Sequence, residues 1–107
     1  MTFNWRRDLR TGLLNIIVEK GPLYGLEIVR EVERDSGGEV RLTATNLYPA
    51  LHMFEQRGLV RVETCPPSDG GGLVNYYTAT DEGRRALEVR RAAPRTFLER
   101  VQRLLKR

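Results

Sequence analysis

Few residues of this chain could do covalent chemistry, and their spacing argues against it. His52 is the one histidine and Cys65 the one cysteine among 107 residues. A metal site needs several His, Cys, Asp or Glu ligands at close spacing, and neither residue has such company in the sequence. Ser68-Asp69 reads as turn chemistry, and no nucleophile stands beside a base. Gly70-Gly71-Gly72 lacks the Lys-Ser/Thr and the following helix of a phosphate-binding loop. The expectation is a protein with no enzymatic activity, no metal and no cofactor. A lone cysteine builds no disulfide framework, so Cys65 reads as a plain thiol beside Pro66.

The polar residues with a usable pattern lie between Thr43 and Gln56. Leu47, Ala50, Leu51 and Phe54 follow the i, i+3, i+4, i+7 rule, which predicts a helix with one buried stripe. Thr43 is its expected N-cap and Gly58 its expected C′ residue. Opposite the stripe lie Thr45, Pro49, His52 and Gln56, with Asn46, Tyr48 and Met53 at the flanks. Thr and Asn side chains can donate and accept at base edges or phosphates. The Tyr48 hydroxyl can reach a phosphate, and a helix N-terminus attracts one. Pro49 gives up one helix hydrogen bond, which costs little near the start of the helix. The plainer reading, with Thr43 and Asn46 as mere caps and Tyr48 as a packing residue, stays open on this pattern alone.

Other elements must position that helix. Residues 7–20 predict an amphipathic helix through Leu9, Leu13, Ile16 and Ile17, stopped by Gly21-Pro22. Tyr24–Asp35 predicts a second helix with Ile28, Val29 and Val32 on one face. Polar–apolar alternation over Glu39–Leu42 suggests a brief strand. Leu59–Thr64 and Leu73–Ala79 alternate and are rich in β-branched and aromatic residues, so they predict the two strands of a hairpin around the 66–72 loop. Thr80-Asp81-Glu82 opens a last helix with acidic groups where the dipole favours them. Pro94 should kink or break it near Ala92–Arg95. Beyond that break, Phe97, Leu98, Val101, Leu104 and Leu105 form an apolar stripe with nothing left to cover it in one subunit, which implies a partner. Three helices and a hairpin make a winged helix-turn-helix. The fold class is therefore α+β, mostly α. Residues 1–79 form the winged domain, and residues 80–107 form a C-terminal helix for dimerisation.

The length allows one core, and 40% apolar with 30% charged residues fits a small globular domain rather than a disordered chain. No apolar run is long enough to span a membrane. Met1 leads into no apolar stretch of a secretory signal, so the expected compartment is the cytoplasm. The net charge of +4 points mildly to a polyanionic partner. That charge is unevenly placed. Residues 84–107 hold nine basic groups against two acidic ones, whereas residues 1–83 hold nine against twelve. The segment expected to touch DNA is thus slightly acidic. The basic helix has three readings: a solvated face, ion pairs with Glu27, Glu31 and Glu33, or Arg84 and Arg85 on flanking DNA phosphates.

Several stretches resemble one family. Gly21-Pro22-Leu23-Tyr24-Gly25-Leu26-Glu27-Ile28 is similar to the "GPLHGYEI" segment of the PadR family of bacterial transcriptional regulators. Leu47-Tyr48-Pro49-Ala50-Leu51 matches its "LYPAL" recognition-helix signature. Glu55-Gln56-Arg57-Gly58-Leu59-Val60 resembles the following "EeeGLi". Tyr76-Tyr77-Thr78-Ala79-Thr80-Asp81-Glu82-Gly83-Arg84-Arg85-Ala86-Leu87 is similar to "YYrLTeeGrraL". The likeness spans roughly residues 9–105 and points to the smaller of the family's two size classes, with a single C-terminal helix. It implies a homodimer on double-stranded operator DNA, usually a repressor. The implied DNA contacts fall on Thr43, Thr45, Asn46, Tyr48 and His52, and the implied dimer contacts on Leu98, Val101, Leu104 and Leu105.

Two departures from the pattern matter. The wing of the family usually carries three basic residues before Tyr-Tyr. Here it reads Gly72-Leu73-Val74-Asn75-Tyr76-Tyr77, leaving Asn75 as its polar contact to DNA. Each lost phosphate contact removes about one counterion's worth of salt-sensitive affinity. Some relatives also place an aromatic residue near the position of Pro94, where a pair of them sandwiches a flat drug. For a small aromatic or drug-like effector, Trp5 and Phe97 are the remaining candidates, and Trp5 also reads as an anchor of the dimer interface. Two rival functions stay open: a winged-helix protein–protein module, or a degenerate regulator with weak DNA binding, and a small-molecule sensor without direct control of DNA.

Overall fold

The computed structural model describes residue 5 and residues 8–90. The C-terminal residues assigned above to the kink, the dimer stripe and effector binding (Pro94, Phe97, Leu98, Val101, Leu104, Leu105) lie outside this set. The elements run α1 (Leu9–Lys20), β1 (Leu23–Tyr24), α2 (Gly25–Asp35), α3 (Ala44–Gln56), β2 (Val60–Cys65) and β3 (Val74–Ala79). A fourth helix, α4, follows over residues 81–90. The chain is α+β and mostly helical, with a small antiparallel sheet of strand order β1-β3-β2.

Helix α1 begins where the Asp8 carboxylate accepts hydrogen bonds from the Thr11 backbone N–H and hydroxyl. Such a cap supplies an acceptor to one of the unpaired N–H groups of a first turn. Leu13, Leu14, Ile16 and Ile17 are all buried, so α1 is wrapped on more than one side. Leu14 was not part of the expected stripe. Trp5 is also buried, and its indole N–H donates to Asp35 Oδ2 at 2.9 Å, tying the start of the chain to the end of α2. Lys20 and Glu31 pair at 2.5 Å between α1 and α2.

Two expectations need correction. Residues 39–42 form no strand. Val40 and Leu42 instead turn apolar side chains toward the core from an irregular segment, which imitates alternation. The third strand is Leu23–Tyr24, expected as helix or its approach. It pairs with β3 through Leu23↔Tyr77 and Tyr24↔Tyr76. Helix α2 therefore starts one residue late, with Glu27 Oε1 accepting from the Tyr24 N–H at 3.1 Å.

Helix α3 ends in a Schellman motif. Gly58 has φ 72°, a conformation that favours glycine, and the Leu59 N–H donates to the Phe54 carbonyl at 2.8 Å. Chain reversal here sends β2 back along the core. Strands β2 and β3 pair from Val60↔Ala79 to Cys65↔Val74, forming the wing. Thr80 then caps α4: its hydroxyl accepts from the Gly83 N–H at 3.0 Å and donates to the Gly58 carbonyl at 2.6 Å. One side chain thus joins the end of α3, the root of the wing and the start of α4. Among the described residues, no helix is long and apolar enough to cross a membrane.

Candidate nucleic-acid interface

Helix α3 presents two faces set by its sequence period. Leu47, Ala50, Leu51 and Phe54 are buried, with Phe54 and Leu51 almost completely enclosed. Thr45, Asn46, Pro49, His52 and Gln56 are exposed on the other side. Tyr48 is half exposed. Thr43 occupies the N-cap position but makes no side-chain cap bond. The first-turn N–H groups of α3 are therefore left without a side-chain acceptor, the arrangement that favours an anion at a helix start.

Two shallow clefts flank this face. The first, about 490 Å³, lies between the start of α1 and the first turns of α3, lined by Asp8, Leu9, Arg10, Thr45, Asn46, Pro49 and Ala50. The second, about 370 Å³, lies between α3, the start of α2 and the wing, lined by Tyr24, Gly25, Leu26, Tyr48, Leu73, Val74, Asn75 and Tyr77. The structure therefore divides the expected contact residues. Thr45 and Asn46 face one cleft, and Tyr48 and Asn75 face the other. His52 lies further along the exposed face and lines neither.

Asn75 differs from the α3 residues because it is already engaged. Its Oδ1 accepts from the Thr64 hydroxyl at 2.7 Å across the β2–β3 pair. Burial raises the Tyr77 phenol above its ordinary range, the nearby Tyr48 phenol adds to this, and a hydrogen bond with Asn75 opposes it. Tyr76 is raised as well, chiefly by desolvation and then by Glu27. It packs edge-on against Tyr24, with ring centroids 5.4 Å apart. These phenols stay neutral at physiological pH and act as hydrogen-bonding groups, not as charges.

The second cleft has no charged lining residue. Three of its members, Leu26, Tyr48 and Leu73, are 50%, 50% and 68% exposed. Leu73 sits where a basic wing residue was expected to be missing. Sequence reasoning did not single out Leu26 or Arg10, because only the tertiary packing sets α2 and α1 beside α3. Trp5, a candidate effector contact, is enclosed by the chain's own core rather than lining either cleft. Cys65 is a half-buried free thiol in β2. Among the described residues there is no cluster of His, Cys, Asp or Glu that could hold a metal ion.

No curated protein matches the sequence. Solved structures do. A transcriptional regulator from Clostridium thermocellum aligns with TM-score 0.73 at 19% identity, over 92% of this chain and 94% of its own. At that identity the likeness speaks for the fold. A PadR family transcriptional regulator from Eggerthella lenta is 30% identical, with TM-score 0.71, over 94% of this chain and 83% of its own. A PadR family regulator from Clostridium difficile R20291 is 29% identical, with TM-score 0.65, over 89% and 97%. The model of the transcriptional regulator PadR-like family matches residues 13–89, which runs from within α1 through most of α4. The chain belongs to the PadR-like family of transcriptional regulators.

Proposed function

We infer that the chain binds double-stranded operator DNA through α3, as a homodimer that represses transcription in the cytoplasm. The observation that carries this reading is the free polar face of α3. Thr43, Thr45, Asn46 and His52 are exposed, and none makes a side-chain hydrogen bond to another described residue. A face of unengaged donors and acceptors at the start of the second helix of a helix-turn-helix suits base edges in a major groove. Residues 1–79 supply the winged domain, and residues 80–107 supply the pairing of two copies. Val89, 64% exposed on α4, is an apolar side chain free for such pairing. Two α3 helices would then enter successive major grooves about 34–36 Å apart on a pseudo-palindrome.

Control by a small aromatic effector is part of the same proposal. Such a ligand would act by shifting the balance between arrangements of the two α3 helices. The test is a fluorescence anisotropy titration of the full chain on its own upstream DNA and on a random duplex of equal length. Preference for the upstream DNA supports the reading, and equal affinity for both duplexes overturns it.

One observation favours a second reading. The cleft beside the wing is uncharged and has three exposed apolar side chains, which suits a protein partner better than a phosphate backbone. A winged-helix interaction module of this kind would tolerate loss of Asn46, which lines the other cleft, without loss of function.

A further inference from the structure

A slightly acidic domain that lacks basic residues just ahead of Tyr76-Tyr77 must find phosphate contacts elsewhere, and the ion pairs of the structure narrow the choice to the described cations they leave out, Arg10, Arg30, Arg57 and Arg61. Six described basic side chains are already committed to carboxylates: Lys20 and Arg34 to Glu31, Arg41 to Glu33, Arg84 to Asp81, Arg85 to Glu82 and Arg90 to Asp8. Arg10 has no carboxylate partner among the described residues. It is also the one basic residue lining the cleft that holds Thr45 and Asn46.

We propose that Arg10 and the α1–α3 cleft form a seat for a backbone phosphate of DNA, replacing the missing basic wing. The proposal rests on the DNA-binding reading above. A guanidinium presents a rigid fork of donors that matches phosphate oxygens. The first turn of α3 forms the opposite wall and adds the backbone N–H groups that the helix does not use (the Asn46 N–H is given to the Thr43 carbonyl), which leaves the Thr45 and Asn46 side chains for base edges. Asp8 is the one anion in the lining. Its carboxylate is turned to the Thr11 N–H and hydroxyl, and Arg90 stands 4.0 Å from it. Its repulsion is therefore partly offset, and Arg10 keeps its charge for a ligand. A strand lying against α3 would meet the seat at the N-terminal end of the helix, whereas a basic wing would have met it near Leu73.

A phosphate contact carries a signature that a base contact lacks. Each phosphate neutralised by the protein adds about 0.9 to the steepness with which affinity falls with salt, whatever the sequence. The experiment is an anisotropy titration of the full chain on upstream and random duplexes, from about 50 to 200 mM salt, the range over which such contacts weaken. Parent, Arg10→Gln, Arg10→Lys and Arg34→Gln proteins are compared. Arg10→Gln is expected to flatten the log–log salt dependence by about 0.9 per bound chain, equally on both duplexes. Arg10→Lys keeps most of the slope, and Arg34→Gln, already paired to Glu31, keeps all of it. A parental slope in Arg10→Gln, while the parent binds, overturns the seat and leaves the DNA reading standing. An effect confined to the upstream duplex also overturns it, because Arg10 would then read bases. No binding of the parent to either duplex overturns both.

Discussion

The hydroxyl oxygen of Tyr48 lies 2.6 Å from the point that a Cβ on Gly25 would occupy. The first residue of α2 thus leaves room for the half-exposed ring on α3. A methyl group there would push the Tyr48 ring outward, since its free end can move and the backbone cannot. Gly25→Ala should leave stability within about 1 kcal/mol of the parent, because alanine also favours the helix. DNA affinity should fall about tenfold, the loss of one hydrogen bond to a charged group at ~1.5 kcal/mol. Thermal denaturation and anisotropy on the same variant check both halves. A loss of stability with unchanged binding would contradict the positional role.

Thr80 is expected to matter for stability and not for recognition. Its hydroxyl both caps α4 and donates to the Gly58 carbonyl. Thr80→Ala removes both bonds and should cost about 1–2 kcal/mol in chemical denaturation. Thr80→Ser keeps the hydroxyl and should recover most of that loss.

Tyr77 supplies a pH dependence with a definite sign. Burial raises its folded pKa above the ordinary 10.0, so the folded state resists its ionisation. The stability it contributes is fully present below pH 10.0 and is lost as pH rises toward the folded value. Denaturation measured across this alkaline range should show a steeper decline for the parent than for Tyr77→Phe. Parallel declines would show that Tyr77 is not the group responsible.

Trp5 offers a direct probe of the chain's first described contact. Its emission should be that of a buried indole, and it should shift to the red on unfolding. Trp5→Phe keeps most of the apolar packing and removes the N–H donated to Asp35. The expected cost is about 1–2 kcal/mol, the range for a hydrogen bond to a charged group at a part-exposed site. An unchanged midpoint would show that the bond adds nothing.

Local pattern and tertiary placement were unequally legible. The α3 stripe, its Thr43 N-cap position, the Gly58 reversal and the β2–β3 hairpin all follow from spacing within a few residues, and each stands within one residue of where the pattern puts it. Strand β1 could not be read, because two residues hold no period and its partner Tyr77 lies more than fifty positions away. Glu39–Leu42 misled for the opposite reason: two core-facing residues in a loop copy the alternation of a strand. The contact of Trp5 with Asp35 could not be read either, because the two residues lie 30 positions apart. The exposed face of α3 was legible as a face. The clefts on either side of it were not, since Arg10 and Leu26 reach α3 only through packing.

The central claim is that the N-terminal face of α3 reads base sequence. Its most direct test is the ratio of affinities for the upstream and random duplexes, measured in competition for the parent and for Asn46→Ala. A specific reader should favour its site by at least about 10³-fold. Loss of a base contact at Asn46 should reduce that ratio by the equivalent of about 1–3 kcal/mol while leaving the salt dependence unchanged. An unaltered ratio in Asn46→Ala and in Thr45→Ala, with both variants folded, would contradict the claim.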